Sequence, residues 1–190
     1  MNVAAVLLAA GASTRLGSPK QLVHTHGESL LRRTARRLSA SHASEVCVVL
    51  GYNAAGMEGQ LAGLPLRVTI NPLWREGIGS SIRHGIASLA PGTDGALIVV
   101  CDQPRISTEH LDALIDAFAH APDRPVASGY GGSAGVPALF PRSLFPELLL
   151  LHGDRGAKSV LLAHAGALTT LPWPDGAFDV DAEPDLFPRL

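Results

Sequence analysis

Three parts of the 190-residue chain carry side chains suited to phosphate and metal chemistry. The stretch from Gly11 to Lys20 holds two cations, Arg15 and Lys20, among the small residues Gly11, Ser13, Thr14 and Gly17. Small residues let backbone N–H groups approach phosphate oxygens, while a guanidinium and an ammonium neutralise charge on a departing pyrophosphate. The bland alternative is a β–α connection whose Arg and Lys face water. Asp102 follows the most apolar run of the chain, and an acidic residue emerging from a strand into a ligand crevice is an expected Mg²⁺ ligand, or else a turn cap before Pro104. Far along the chain, Asp179 and Asp181 alternate, so an extended segment would present both on one face and either could serve the same ion.

Other patterns narrow the chemistry. Gly17-Ser18-Pro19-Lys20 departs from the Gly-Lys-Ser/Thr of a P-loop, and no Gly-x-Gly-x-x-Gly is present, which weakens the ATPase and dinucleotide readings. Ser80 and Ser81 precede an amphipathic stretch and read as N-caps or first-turn donors. Asp154, in Gly153-Asp154-Arg155-Gly156-Ala157-Lys158, reads as a turn residue capping the helix that follows. His24 and His26 have no carboxylate cluster nearby and read as loop histidines. Cys47 and Cys101 sit singly in apolar runs and read as buried reduced thiols. No Ser-His-Asp or Cys-His arrangement supports a hydrolase.

The elements that must position these residues alternate. Short continuous apolar runs at 3–9, 45–50, 66–70 and 96–101 read as strands buried on both faces. Helical patterns fall between them at 29–40, 54–61 and 80–89, with another at 108–119 begun by the cap Ser107. That order predicts crossover units on a mostly parallel sheet in a three-layer α/β/α, Rossmann-like domain, with ligands bound beyond the strands' carboxyl ends. Residues 125–128, 136–140 and 167–171 read as further strands, and 144–151 and 156–164 as helices. With no linker or repeat, a single domain over 1–190 is expected, with a nucleotide-binding half to about residue 120 and an acceptor-binding half from 121.

A formal net charge of −2 disfavours nucleic acid or an anionic membrane as the main partner. The Arg-rich stretch Arg32-Arg33-Thr-Ala-Arg36-Arg37 reads as the solvated face of a helix. The first apolar run is too short for a membrane span and lacks a charged leader, so the protein is expected in the cytoplasm.

Leu8-Ala-Ala-Gly-x-Ser-x-Arg-x-Gly-x-x-Lys20-Gln-Leu resembles the signature of the MobA-like nucleotidyltransferases, and within them the molybdenum cofactor cytidylyltransferase branch. The blocks Asn71-Pro-x-Trp-x-x-Gly77-x-x-x-Ser81-Ile-x-x-Gly85, Cys101-Asp-Gln-Pro104, Gly153-Asp-x-Gly-Ala-Lys158 and Asp179-Val-Asp181 resemble further family blocks in family order. The resemblance implies a fold of the nucleotide-diphospho-sugar transferase type. It also implies transfer of CMP from CTP to Mo-molybdopterin, with Mg²⁺ on Asp102 and Asp181. Ala9, Ala10, Gly11, Ser13, Arg15, Lys20 and Ser81 would bind the nucleotide, with Arg15, Lys20 and Asp102 catalytic and Asp154 and Lys158 near the acceptor. Transient contact with a molybdoenzyme or its chaperone is a further implication.

Two departures from the family pattern stand out. Asp179-Val-Asp181-Ala-Glu-Pro-Asp-Leu lacks the usual Thr and shifts the Pro, and Gly135-Val136-Pro137 replaces the more usual Gly-His-Pro or Gly-Asn-Pro, removing a polar contact near the acceptor. Ala10 stands where the guanylyltransferase branch usually has Gly. Rival readings keep the fold but use GTP or a sugar or polyol phosphate acceptor, or make the chain a non-catalytic nucleotide sensor or cofactor chaperone.

Overall fold

Val3–Ala9 forms β1, and all seven residues are buried, as a continuous apolar run requires when both faces of a strand are covered. The computed structural model describes residues 1–12, 19–25 and 27–178. A small antiparallel pair follows, β2 (His24–Thr25) and β3 (Glu28–Ser29), which the sequence did not announce. Ser29 then caps α1 (Leu30–Ser39), its Oγ accepting the Arg32 N–H at 3.2 Å. Next come β4 (Glu45–Leu50), α2 (Ala54–Glu58), β5 (Arg67–Ile70), α3 (Ile78–Ala87), β6 (Gly95–Val100) and α4 (Thr108–His120). The remaining elements are β7 (Val126–Tyr130), β8 (Ser133–Pro141), α5 (Phe145–Leu148), α6 (Lys158–Ala163) and β9 (Thr169–Pro172).

The main sheet has seven strands in the order β5-β4-β1-β6-β8-β7-β9. β5, β4, β1 and β6 run parallel, β8 runs antiparallel to β6 and β7, and β9 runs parallel to β7. The three-layer, mostly parallel α/β/α architecture is therefore as expected. Alternate residues of β1 feed two cores: Val3, Ala5, Leu7 and Ala9 pack with Leu31, Leu38, Leu114 and Phe118, while Val6, Leu8 and Ala10 pack with Ile82, Ile86, Phe140 and Leu161. Gly85 lets α3 lie close on the second face, since a Cβ there would sit 2.5 Å from Val6 Cγ1 and 3.1 Å from Val49 Cγ2. No helix among the described residues is long and apolar enough to cross a membrane.

Several element limits differ from expectation. α3 begins at Ile78 with Gly77 as N-cap, so Ser80 and Ser81 lie inside its first turns and do not cap it; Ser80 is a first-turn donor, its Oγ donating to the Gly77 carbonyl at 2.9 Å. The reason is Gly77 itself, whose φ of 102° makes the turn that a residue with a Cβ rarely makes. The helical pattern at 54–61 splits into α2 and a 3₁₀ turn, Gly59–Leu61, and that at 144–151 becomes a 3₁₀ turn, Arg142–Leu144, followed by one turn of α5. α4 starts as predicted, with Ser107 Oγ accepting the His110 N–H at 3.2 Å.

The arginines of α1 are not simply solvated. Arg32 donates to the carbonyls of Gln60 and Ala62, Arg33 to Thr25, Arg36 to Glu28, and Arg37 to the carbonyls of Pro104 and Ile106. They tie neighbouring loops to the helix, and Arg37 in particular anchors the segment just after Asp102.

His110 stacks on Trp173, with ring centroids 4.7 Å apart, and its Nε2 lies 2.8 Å from Ser128 Oγ. The Ser128 hydroxyl donates its proton to the Pro137 carbonyl at 2.8 Å, so it must accept from a protonated Nε2 of the imidazole. Ser128 is wholly buried, which makes the pair a structural strut joining α4 to β7 and β8 and not a nucleophile. Burial pushes the pKa of His110 below its ordinary 6.5, and His84 is shifted the same way by the same cause. The unfolded chain therefore takes up these protons first, and stability falls as pH drops below about 6.5. Urea unfolding at pH 7.5, 6.5 and 5.5 should show this decline, with a shallower slope for His110→Gln; an equal slope would mean His110 is not its source.

Candidate active site

The sheet order reverses between β1 and β6, because the chain moves from β1 outward through β4 and β5 and then returns to the other side of β1. Such a switch point leaves a crevice at the carboxyl ends of the two strands. β1 and β6 stay in register up to Leu8 and Val100, so Ala10 and Gly11 leave one strand beside Cys101 and Asp102 leaving the other. The first loop returns in a 3₁₀ turn, Lys20–Leu22, and the Lys20 ammonium pairs with Asp102 Oδ2. Their side chains are 21% and 20% exposed, enough to be reached from the cleft and sheltered enough for the pair to matter electrostatically.

Behind the cation, Gln21 is buried at 2% exposure, and its Nε2 donates to the carbonyls of Gly11 at 2.7 Å and Ala9 at 3.2 Å. The opposite wall is the head of α3. Buried Asn71 donates from Nδ2 to Ser80 Oγ at 2.9 Å and Ser81 Oγ at 3.2 Å, and its Oδ1 accepts the Leu73 N–H at 2.9 Å. This fixes the turn carrying Trp74, whose ring meets Tyr52 edge-on at 5.5 Å and is covered by Arg75 at 4.6 Å. Gly77 also permits a close loop approach: a Cβ there would lie 2.5 Å from the Gly153 carbonyl and 2.7 Å from Asp154 Oδ1. Asp154 accordingly sits against the head of α3; α6 has Ala157 as its N-cap, with no side-chain cap. The expectation that Asp154 caps that helix is corrected.

Lys20, Asp102, Ala10, Gly11, Ser81 and Asp154 thus line one open cleft of about 610 Å³. Ala9 does not line it and is buried in the core on the other face of β1. A smaller apolar cavity of about 190 Å³ adjoins through the shared walls Leu8, Ile78 and Val100, and exposed Lys158 lines it together with Val136 and Tyr130. Ser13, Arg15, Asp179 and Asp181 lie outside the described residues. Among the described residues no group of three His, Cys, Asp or Glu side chains could hold a metal. Among the described residues Asp102 supplies a carboxylate at the cleft floor and Asp154 another on its wall, a donor set that suits a hard cation completed by substrate phosphates and water and not an all-protein cage.

Residues 5–168 match the family model described as a MobA-like NTP transferase domain. The chain belongs to that family. Nicotine blue oxidoreductase of Paenarthrobacter nicotinovorans is 32% identical over 168 residues, covering 84% of this chain and 81% of its own length. A protein of Nostoc described as a probable molybdenum cofactor guanylyltransferase is 28% identical over 193 residues, covering 97% of this chain and 89% of its own. Among solved structures, Rv0371c from Mycobacterium tuberculosis H37Rv superposes with a TM-score of 0.84 at 27% identity, covering 97% of this chain and 95% of that one. A second structure of Rv0371c, in complex with manganese, has a TM-score of 0.78 at 26% identity over 97% and 96% of the two chains. The fold of this MobA-like domain is that of the nucleotide-diphospho-sugar transferases.

Four residues of the cleft's framework escaped sequence reasoning. Gln21 lies inside the first signature, but nothing in its type says whether an amide faces water or the chain. Trp74 and Asn71 mark the second block without revealing that they brace the α3 head. Gln103 ties the residue after Asp102 to Val136 O at 3.0 Å and Gly176 O at 3.3 Å, and its buried Oε1 has no partner among the described residues.

Cys101 neighbours Asp102 and touches the cleft, yet it is 3% exposed, and burial, with the Asp102 charge adding to it, pushes its thiol up to about 12. Cys47 is buried and raised by the same main cause. Neither thiol is a nucleophile near neutral pH. Iodoacetamide at pH 8 should leave the native protein unmodified by mass and alkylate both cysteines only in urea; rapid native labelling of Cys101 would contradict its burial.

Proposed function

We propose that the chain transfers CMP from CTP to Mo-molybdopterin, giving molybdopterin cytosine dinucleotide and pyrophosphate. The observation that carries this reading is the Lys20–Asp102 pair at the floor of the switch-point cleft, beneath a wall made by Ala10 and facing Ser81. A terminal phosphate oxygen of the acceptor forms a bond to the α-phosphorus of CTP, and the bond from that phosphorus to the bridging oxygen of the pyrophosphate breaks. The attacking phosphate is already ionised, so no general base and no covalent enzyme intermediate are needed. Lys20, with Arg15 and the N–H groups of the first loop, neutralises charge gathering on the pyrophosphate.

Asp102 and Asp181 would hold Mg²⁺. When bound, the ion polarises the phosphoryl oxygens as a Lewis acid. Ala10 narrows the base site by one methyl, a size difference worth about 10- to 200-fold in discrimination, and Ser81 supplies a polar contact to the base. Asp154, in the same cleft, and Lys158, in the adjoining cavity, contact the acceptor. A second reading, GTP as donor, is favoured by the relative described as a guanylyltransferase.

Pyrophosphate release with Mo-molybdopterin should be faster with CTP than with GTP, and equal or GTP-favoured rates would sink the cytidylyl assignment. Asp102→Asn and Lys20→Met should each lower kcat by about 100-fold or more while the protein still melts cooperatively. Unchanged product formation in Asp102→Asn would mean the chemistry lies elsewhere.

A further inference from the structure

Gln21 is buried as deeply as the apolar core, although its carboxamide could be replaced by hydrocarbon of the same volume without loss of packing. Burying an amide is unfavourable unless it is hydrogen-bonded, so the bonds it makes explain its presence. Its Nε2 holds the carbonyls of Gly11 and Ala9, which flank Ala10. The Ala10 carbonyl is held as well: it accepts the Tyr52 N–H at 3.0 Å, and Gly51 backs it so closely that a Cβ there would lie 2.8 Å from the oxygen. Three consecutive carbonyls are therefore fixed by donors from two other segments. Since a peptide chain moves only through φ and ψ, peptide planes held on both sides of Ala10 keep its methyl from swinging away from the cleft.

We propose that Gln21 is a positioning residue for nucleotide choice, holding Ala10 at a set depth and so fixing the width of the base site. This rests on the reading of Ala10 as a wall of that site. A loop of small residues would otherwise yield to a larger base, and a methyl that can retreat discriminates nothing. The two bonds convert a small side chain into a rigid limit.

The experiment measures kcat and KM for CTP and GTP in the wild type, Gln21→Met, Ala10→Gly and the double variant, each checked for a cooperative melt. Met keeps the length and apolar stem of Gln but has no donor. The ratio of kcat/KM for CTP over GTP should fall about tenfold in Gln21→Met, mainly through a lower KM for GTP, with kcat for CTP kept within about twofold. Ala10→Gly should lower the ratio similarly, and the double variant should add little, because both changes relax one wall. A purely structural Gln21 would weaken both nucleotides alike; an unchanged ratio in Gln21→Met therefore overturns the proposal. So does an unchanged ratio in Ala10→Gly. If Gln21→Met does not fold, Gln21→Glu, equal in size and lacking the amide donor, decides by the same ratio. The wild-type ratio separately judges the cytidylyl reading, since a GTP preference there would sink that reading whatever Gln21→Met does.

Discussion

The parallel pairing of β1 with β6 is the constraint on which everything at the cleft depends. Both strands are apolar on both faces, so each must be sandwiched between helices, and the only polar groups they can offer a ligand are those where they stop. Because their register runs to Leu8 and Val100, they stop together. Ala10, Gly11, Cys101 and Asp102 are brought side by side by backbone hydrogen bonds before any side chain makes a specific contact. Lys20 then needs only a short return of the first loop to reach Asp102.

The rest of the site is held from behind. Asn71 braces the α3 head through Ser80, Ser81 and the Leu73 N–H, Arg37 grips the carbonyls after Asp102, and Gln103 ties the same segment to β8. Each is a buried or half-buried polar side chain, and those of Arg37 and Gln103 bond mostly to backbone carbonyls. Such braces let short, small-residue loops keep a shape that their own conformational preferences would not give them.

The order of the fold was legible because long apolar runs admit few interpretations: β1, β4 and β6 lie within one residue of expectation, and Ser107 caps α4 as expected. Legibility failed where a glycine or a tertiary contact decided. Gly77 moved the start of α3 two residues ahead of the expected serines, and Asp154, sensible locally as a cap for α6, sits instead against Gly77 across the cleft. Local pattern could place Lys20 and Asp102 after their elements, but their pairing over 82 positions of sequence is a property of the sheet. The arginines of α1 make the same point in reverse: a charge run at helical spacing looks solvated until the loops that it ties are folded around it.

The Lys20–Asp102 pair also changes what affinity means at this cleft. Paired in this way, the cation and the carboxylate offset one another's charge. An anion that draws on the ammonium, or a cation that draws on the carboxylate, competes with the existing pair, so the free energy gained is less than that of an isolated ion pair. A ligand carrying both charges at once offers each partner a replacement, whereas a ligand carrying one of them weakens the pair and replaces only one side of it. Selectivity for a matched anion–cation assembly follows from the pair itself.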